Sequence, residues 1–209
     1  MSRFYGERWM SAGKVYLRPI TAADTSKIVV WRNKDFVRGN FIYQKLFTAE
    51  GHMEWLRKQV EPGHVAQFII CVENGQRRGD GCSSGGIKTS TETGDREIGS
   101  VYLRDIDRER ETAEYGVFIG EEDALGCGYG VQAAKLMLQY GFEALHLESI
   151  FLRVLEDNAG ARKSYEKAGF QRIENRRESV QLEQGVRYVL FMEVKRSTWE
   201  KTKNNLGAV

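Results

Sequence analysis

The stretch Leu125-Gly126-Cys127-Gly128-Tyr129-Gly130 runs straight into the most regular helical pattern of the chain. There Val131, Ala134, Leu138, Phe142 and Leu145 step by three and four along one face. Apolar stretches that read as strands lie on either side, at 112–120 and 149–155. Strand, glycine turn, helix and return strand make a crossover, which requires parallel strands covered by helices. The earlier part of the chain reads differently. Residues 66–73, 97–104 and 112–120 form alternating runs joined by polar turns, which predicts an antiparallel meander. A strand at 14–20 and helices at 22–32 and 48–60 precede it, with Thr48 as N-cap of the second helix. A helix at 159–168, closed by Gly169, and strands at 171–177 and 187–194 complete an α/β (α+β) pattern. The expectation is a mixed central sheet of six to seven strands with helices on both faces.

A length of 209 residues suits one domain, 1–209, with a core at about 14–196. Only Pro19 and Pro62 interrupt the chain, and no Pro- or Ser-rich linker divides it. Residues 75–95 are rich in Gly, Ser and Thr and read as a long loop insertion. Residues 197–209 form a polar tail whose one large apolar residue is Trp199, expected to fray or dock loosely. A net charge of +2 is too small for a general nucleic-acid or membrane coat. No apolar stretch is long enough to span a bilayer, and the N-terminus lacks a secretory pattern, so a cytoplasmic location is expected. Cys71, Cys82 and Cys127 lie far apart without a CxxC, which argues against a disulfide framework or a zinc ribbon. With His52, His64 and His146 the only histidines, no metal site is expected. His52 and His146 read as surface or helix-end residues.

Glycines ahead of a helix let the backbone turn tightly and leave the first helical N–H groups unpaired. Those donors, at the positive end of the helix dipole, suit a phosphate or pyrophosphate, although glycines also serve as plain helix caps. The spacing excludes a Walker A loop, since neither the lysine nor the following hydroxyl is present. The alternation of Gly126, Gly128 and Gly130 is not the dinucleotide fingerprint either. A second block, Glu156-Asp157-Asn158 into Ala159–Phe170, places Asn158 where a strand meets a helix, a natural N-cap. Tyr165, seven residues on, lies on nearly the same helix face.

Together the two blocks resemble the GNAT superfamily of N-acetyltransferases. The resemblance runs from Val15-Tyr16-Leu17-Arg18-Pro19-Ile20, through Ile98-Gly99 and Glu114-Tyr115-Gly116-Val117, to Tyr165-Glu166-Lys167-Ala168-Gly169-Phe170. Within it, the opening and the Asn158 block look most like the ribosomal-protein N-terminal acetyltransferase group. The family's pyrophosphate loop is written Q/R-x-x-G-x-G/A; Gly128 and Gly130 match, and Leu125 departs at the leading position. The resemblance implies acetyl-CoA as co-substrate and no metal. Its pyrophosphate is expected on the backbone of Leu125, Gly126, Cys127, Gly128, Tyr129 and Gly130. Pantetheine is expected in a gap between diverging strands, against backbone groups of Phe118 and Ile119. Asn158 and Ser164 are expected to touch the cofactor, and Tyr165 to act as general acid toward the departing thiolate. Gly116 is compatible with a bulge at the divergence and equally with close packing.

The general base is less directly implied. Some relatives carry a glutamate on the strand before Asn158, where this chain has Arg153. Glu114 shares a strand face with Gly116 and Phe118 and is the candidate base, with salt-bridge partner as the other reading; Glu97 is a weaker candidate. Cys127 reads as a bystander thiol rather than a nucleophile. For the acceptor, Trp31-Arg32-Asn33, Asn40-Phe41-Ile42 and His52–Leu56 are similar to the aminosugar-nucleotide N-acetyltransferases of the pseudaminic-acid pathway. Trp31, Arg32 and Asn33 are therefore candidate substrate-binding residues, with core packing and helix capping as their other readings. The expected function is acetyl transfer to a primary amine, on an aminosugar nucleotide or a protein N-terminus, by a chain that can form a homodimer. Two other classes remain: a CoA-binding regulator without catalysis, and a ribosome- or RNA-associated module using Arg172, Arg176 and Arg177.

Overall fold

The computed structural model describes residues 10–12, 14–73, 95–182 and 184–206. Its strands are β1 (Met10–Ala12), β2 (Val15–Pro19), β3 (Ala66–Val72), β4 (Arg96–Asp107), β5 (Thr112–Ile119), β6 (Ser149–Leu155), β7 (Gln171–Leu182) and β8 (Gly185–Lys195). They form a single eight-stranded sheet in the order β1-β2-β3-β4-β5-β6-β8-β7. Every pairing is antiparallel except β5 with β6. That parallel pair is the one spanned by the glycine loop and its helix, as a crossover requires.

Helices cover both faces. The helix α4 (Tyr129–Gln139) starts from Gly128, whose φ of 78° is left-handed, and a π-helical turn over Tyr140–Ala144 extends it. The helix α5 (Ala159–Ala168) is capped by Asn158, whose Oδ1 accepts from the Ala161 amide at 3.1 Å, and is closed by Gly169 at φ 111°. Such a left-handed closing residue is where glycine costs least. These helices pack their apolar faces onto Leu17, Ile70, Val101, Leu103, Ile150 and Leu190 in the larger core. On the opposite face α1 (Thr25–Asn33), α2 (Asp35–Arg38) and α3 (Ala49–Trp55) enclose a second core around Ile28, Trp31, Ile69 and Phe118. Thr48 caps α3 by accepting from the Gly51 amide.

Three sequence expectations change. The sheet has eight strands because β1 adds a short antiparallel strand to β2, and three residues carry too little pattern to be read. The strand expected to end at residue 177 continues to Leu182, pairing with β8 across a register shift between Arg172 and Arg177. The tail is no loose end: Arg196–Leu206 is a helix, α6, and the Trp199 ring packs at a tilt against Phe142, 5.2 Å between centres. The 75–95 insertion lies outside the described residues, apart from Asp95, which accepts a hydrogen bond from Tyr16. No helix among the described residues is long and apolar enough to cross a membrane.

Candidate active site

β5 and β6 pair only at Thr112 with Ser149, Ala113 with Ile150 and Glu114 with Phe151. Beyond Glu114, β5 runs on to Ile119 and β6 to Leu155 without bonding each other, although both stay paired to their outer neighbours. The result is a gap in mid-sheet, open along one edge of β5. Which peptide groups face it follows from the β4 ladder. The Gly120 amide donates to Ile98 O at 2.7 Å, and the Phe118 carbonyl is directed at Gly99. Antiparallel alternation then turns the peptide groups of Val117 and Ile119 toward the gap and those of Phe118 toward β4. The peptide groups of Phe118, expected to face pantetheine, therefore face β4, whereas those of Ile119 face the gap. The Phe118 side chain instead closes the second core.

The glycine loop lies at the mouth of the gap. Among the described residues no carbonyl accepts from the backbone amides of Gly126, Gly128, Tyr129 or Gly130. Gly126 and Gly128 both take left-handed φ values, 76° and 78°, and a Cβ on either, or on Gly130, would meet nothing within 4 Å. An open concave turn of unpaired donors at the positive end of a helix is the geometry that holds an anion. Leu125 leads it with its side chain 46% exposed. Cys127 is disulfide-bonded, which corrects the bystander-thiol reading and runs against the argument from spacing against disulfides. Distance along the sequence says nothing of distance in space.

Tyr165 approaches the gap from the α5 side. Its ring packs edge-on against Tyr115 and Phe170, each at 6.0 Å. Burial, and then the neighbouring Tyr102, push its phenol above the ordinary range, so it is held protonated. The Tyr115 hydroxyl is buried with no partner, and burial raises it in the same direction. Asn158 has its carbonyl committed to the α5 cap, and the Ser164 hydroxyl donates to Gly160 O within its own helix. Two further polar atoms near the start of these helices, Gln132 Oε1 and Arg162 Nε, are buried without a partner. Sequence reading passed over both, because nothing local marks them.

Tyr102 is the main residue the sequence left unread. It pairs with Gly116 across β4 and β5, and a Cβ at Gly116 would fall inside the Tyr102 ring. Close packing, rather than a bulge, therefore accounts for Gly116: the β4–β5 register is unbroken there and shifts only between Arg104 and Asp107. The glycine lets the phenol lie flat across β5, within electrostatic reach of Arg32, Arg104, Glu114 and Arg153 on one side and Tyr165 on the other. We expect Gly116→Ala to swing this phenol out of the gap. Because a side-chain tip can move, the stability cost should stay within ~1–3 kcal/mol. A denaturation curve beside that of the wild type checks this.

Glu114 is 8% exposed and lies between two guanidiniums. Its Oε1 accepts from Arg104 at 2.9 Å and from Arg153 Nε at 3.1 Å, while Oε2 accepts from Arg153 Nη2 at 3.2 Å. Both oxygens are engaged by guanidiniums, which is the salt-bridge reading, and two adjacent cations weaken a carboxylate as a proton acceptor. Glu97 is engaged too, by Arg18 and Lys27; burial would raise its pKa, but those two cations outweigh it and hold it low. His52 is not a surface residue. It is 1% exposed, shares a hydrogen bond with Thr25 Oγ1 at 3.0 Å, and burial lowers its pKa.

The three candidate acceptor residues separate. Trp31 is 2% exposed, its Nε1 donates to Glu121 at 2.7 Å, and its ring covers Gly120, so it belongs to the core and not to a substrate wall. Asn33 clamps the backbone of Phe47, donating to its carbonyl and accepting from its amide. Of the three, Arg32 alone has no hydrogen-bond or ion-pair partner among the described residues. A surface cleft lined by Ile20, Met53, Leu56 and Val60 includes no residue of β5, β6, α4 or α5. The arginines read as an RNA contact are exposed on β7, where Arg176 lies over Phe191 and Arg177 lies over Tyr188 and pairs with Glu156. Among the described residues no three His, Cys, Asp or Glu side chains form a metal-binding group.

Residues 14–171 match the family described as "Acetyltransferase (GNAT) domain". Spermidine N(1)-acetyltransferase of Escherichia coli is 36% identical over 74 residues, 35% of this chain and 39% of that protein. An uncharacterised protein of Methanocaldococcus jannaschii is 24% identical over 172 residues, 79% of this chain. The match spans only 30% of that protein's own length. The chain thus spans about a third of the length of the curated relatives it matches. In fold, it is similar to the Vibrio cholerae spermidine N-acetyltransferase solved with CoA and spermine, at a TM-score of 0.73 and 20% identity. That similarity covers 90% of this chain and 98% of the other.

Proposed function

From the premise that the chain belongs to the GNAT acetyltransferase family, we propose that it transfers an acetyl group from acetyl-CoA to a primary amine of a small molecule. The observation that carries the proposal is one juxtaposition. A gap between β5 and β6 opens beside a helix start with unpaired amides, and the half-buried Tyr165 ring on α5 packs against Tyr115 of the same β5.

Acetyl-CoA supplies an activated acyl carbon and a thiolate leaving group. The chain supplies the rest. Amides of Gly126, Gly128, Tyr129 and Gly130, with the α4 dipole, hold the pyrophosphate. Peptide groups of Val117 and Ile119 hold the pantetheine amides as an added strand would, which aligns the thioester with the gap. The amine enters from the face of Arg32, Tyr102 and Glu114. As its nitrogen bonds to the acyl carbon and the C–S bond breaks, Tyr165 Oη donates its proton to the sulfur, the nitrogen sheds its extra proton to water, and the Tyr165 phenolate regains a proton from water. Glu114 remains a structural anion, and no side chain is given the base role. Aligning amine and thioester supplies much of the rate, since proximity can lower a barrier by roughly 7–11 kcal/mol.

The spermidine acetyltransferases among the relatives make polyamines one acceptor class to assay, beside aminosugar nucleotides. They favour a small molecule over a protein N-terminus. Homo-oligomer formation is part of the same proposal, since a dodecameric relative shares the fold. The test is thermal melting with CoA, followed by thiol release across a panel of amines. CoA at a hundredfold excess over its Kd should stabilise the protein by about 2.7 kcal/mol. An unshifted melt overturns the cofactor assignment and with it the reading of the gap.

A further inference from the structure

Arg32 sits on the last turn of α1 and is 9% exposed, yet no described residue gives it a hydrogen bond or ion pair. Its Nη1 is fully buried and unpartnered. The other buried formal charges are matched: Asp24 by Arg18, Glu114 by Arg104 and Arg153. Around Arg32 stand rings instead. Its guanidinium carbon lies 3.4 Å from the Phe41 ring centre, 5.2 Å from Phe47 and 5.8 Å from Phe118. Aromatic faces attract a cation but leave its N–H donors unmet. Burial pushes its pKa down only to about 10, so it stays charged at neutral pH. An unmatched buried charge costs stability, and a fold keeps one where a ligand supplies the counter-charge.

Position says which ligand. Phe118, beneath the guanidinium, lies on the part of β5 that borders the gap, and Tyr102 links Arg32 electrostatically to Arg104, Arg153 and Glu114. Arg104 and Arg153 hold Glu114, Arg104 also meets Asp105, and Arg32 adds a third guanidinium against these two carboxylates, so the group keeps a net positive charge. Such a face repels a polycation and attracts an anion.

Resting on the acetyltransferase reading, we propose that Arg32 is the receptor for a negatively charged group, carboxylate or phosphate, carried by the amine acceptor. The acceptor is then an anionic amine rather than a polyamine. A guanidinium suits either group because its fork of donors can grip two oxygens at once. The ring cage holds the fork in place, and the amine of the same molecule reaches the thioester across Tyr102.

The test uses CoA-loaded protein, so that the glycine loop is already filled. Inorganic phosphate and succinate are titrated separately into wild type, Arg32→Gln and Arg32→Lys, with melting temperature as the readout. Wild type should bind one of the two probes at least tenfold more tightly than Arg32→Gln, with Arg32→Lys between them. Which probe wins distinguishes phosphate from carboxylate. Arg32→Gln without ligand should melt at or above wild type, because it loses an unmatched charge; this guards against a folding defect. In thiol release, phosphoethanolamine should exceed ethanolamine, or β-alanine its amide, by at least tenfold in kcat/KM. That preference should vanish through KM in Arg32→Gln. Equal anion binding by wild type and Arg32→Gln, or spermidine outpacing both anionic amines, overturns the proposal. Should CoA itself fail to bind, the acetyltransferase reading falls; the same titrations on unliganded protein still decide Arg32.

Discussion

Tyr165→Phe should lower the kcat of acetyl transfer by ~10²–10³-fold while leaving the affinity for acetyl-CoA within about threefold, since a positioned proton donor contributes on that scale. The substitution removes one oxygen and keeps the ring, so the edge-on packing against Tyr115 and Phe170 survives and stability should hardly change. Burial raises the Tyr165 phenol, which keeps it protonated across the working pH range and fit to donate rather than accept. The departing thiolate is then left without its nearest donor. Steady-state thiol release, with CoA affinity measured by titration on the same preparations, reads the two quantities apart. An unchanged kcat would reduce Tyr165 to a packing residue and leave the site without an acid.

Trp31→Ala should cost ~3–5 kcal/mol of folding stability, the range for truncating a buried aromatic side chain. At roughly 2–4 °C per kcal/mol for a chain of this size, the melting temperature should fall by about 6–20 °C. The indole is buried, meets Phe118 edge-on at 6.4 Å, lies against the glycine face of residue 120 and holds Glu121 through Nε1. Its loss opens a cavity and removes one hydrogen bond from Glu121, which keeps Arg96 and Lys34 beside it. Denaturant unfolding checks the size. If stability holds and KM for the amine rises instead, Trp31 returns to the acceptor wall.

The legible parts of the chain were those governed by local rules. Helix α5 lies where Asn158 and Gly169 bound it, and β6 spans the expected residues, because caps and short apolar runs are written in neighbouring positions. The glycine turn was legible for the same reason. Tyr102 was not, since its importance depends on facing Gly116 across a strand pair, and register is fixed only by the whole sheet. Glu114 looked free because its two arginines come from β4 and β6. The Trp31-Arg32-Asn33 group could not act together on a helix. Successive residues point about 100° apart, so at most one of the three could face the ligand.

An open sheet must stop somewhere, and this one stops at two unlike borders. On one side stands β1, three residues long and too brief to recruit a foreign strand. On the other β7 presents twelve residues of mostly exposed backbone, the length at which chains begin to add themselves to one another. Exposed charges from Arg172, Glu174, Arg176, Arg177 and Glu178 flank it on both faces, and a register shift with Asn175 at φ 60° breaks the line midway. A passing strand would find no uninterrupted ladder to join, and would have to strip water from those charges to lie against it. The long margin is therefore fenced: crowded molecules can brush along it without being stitched into a fibre.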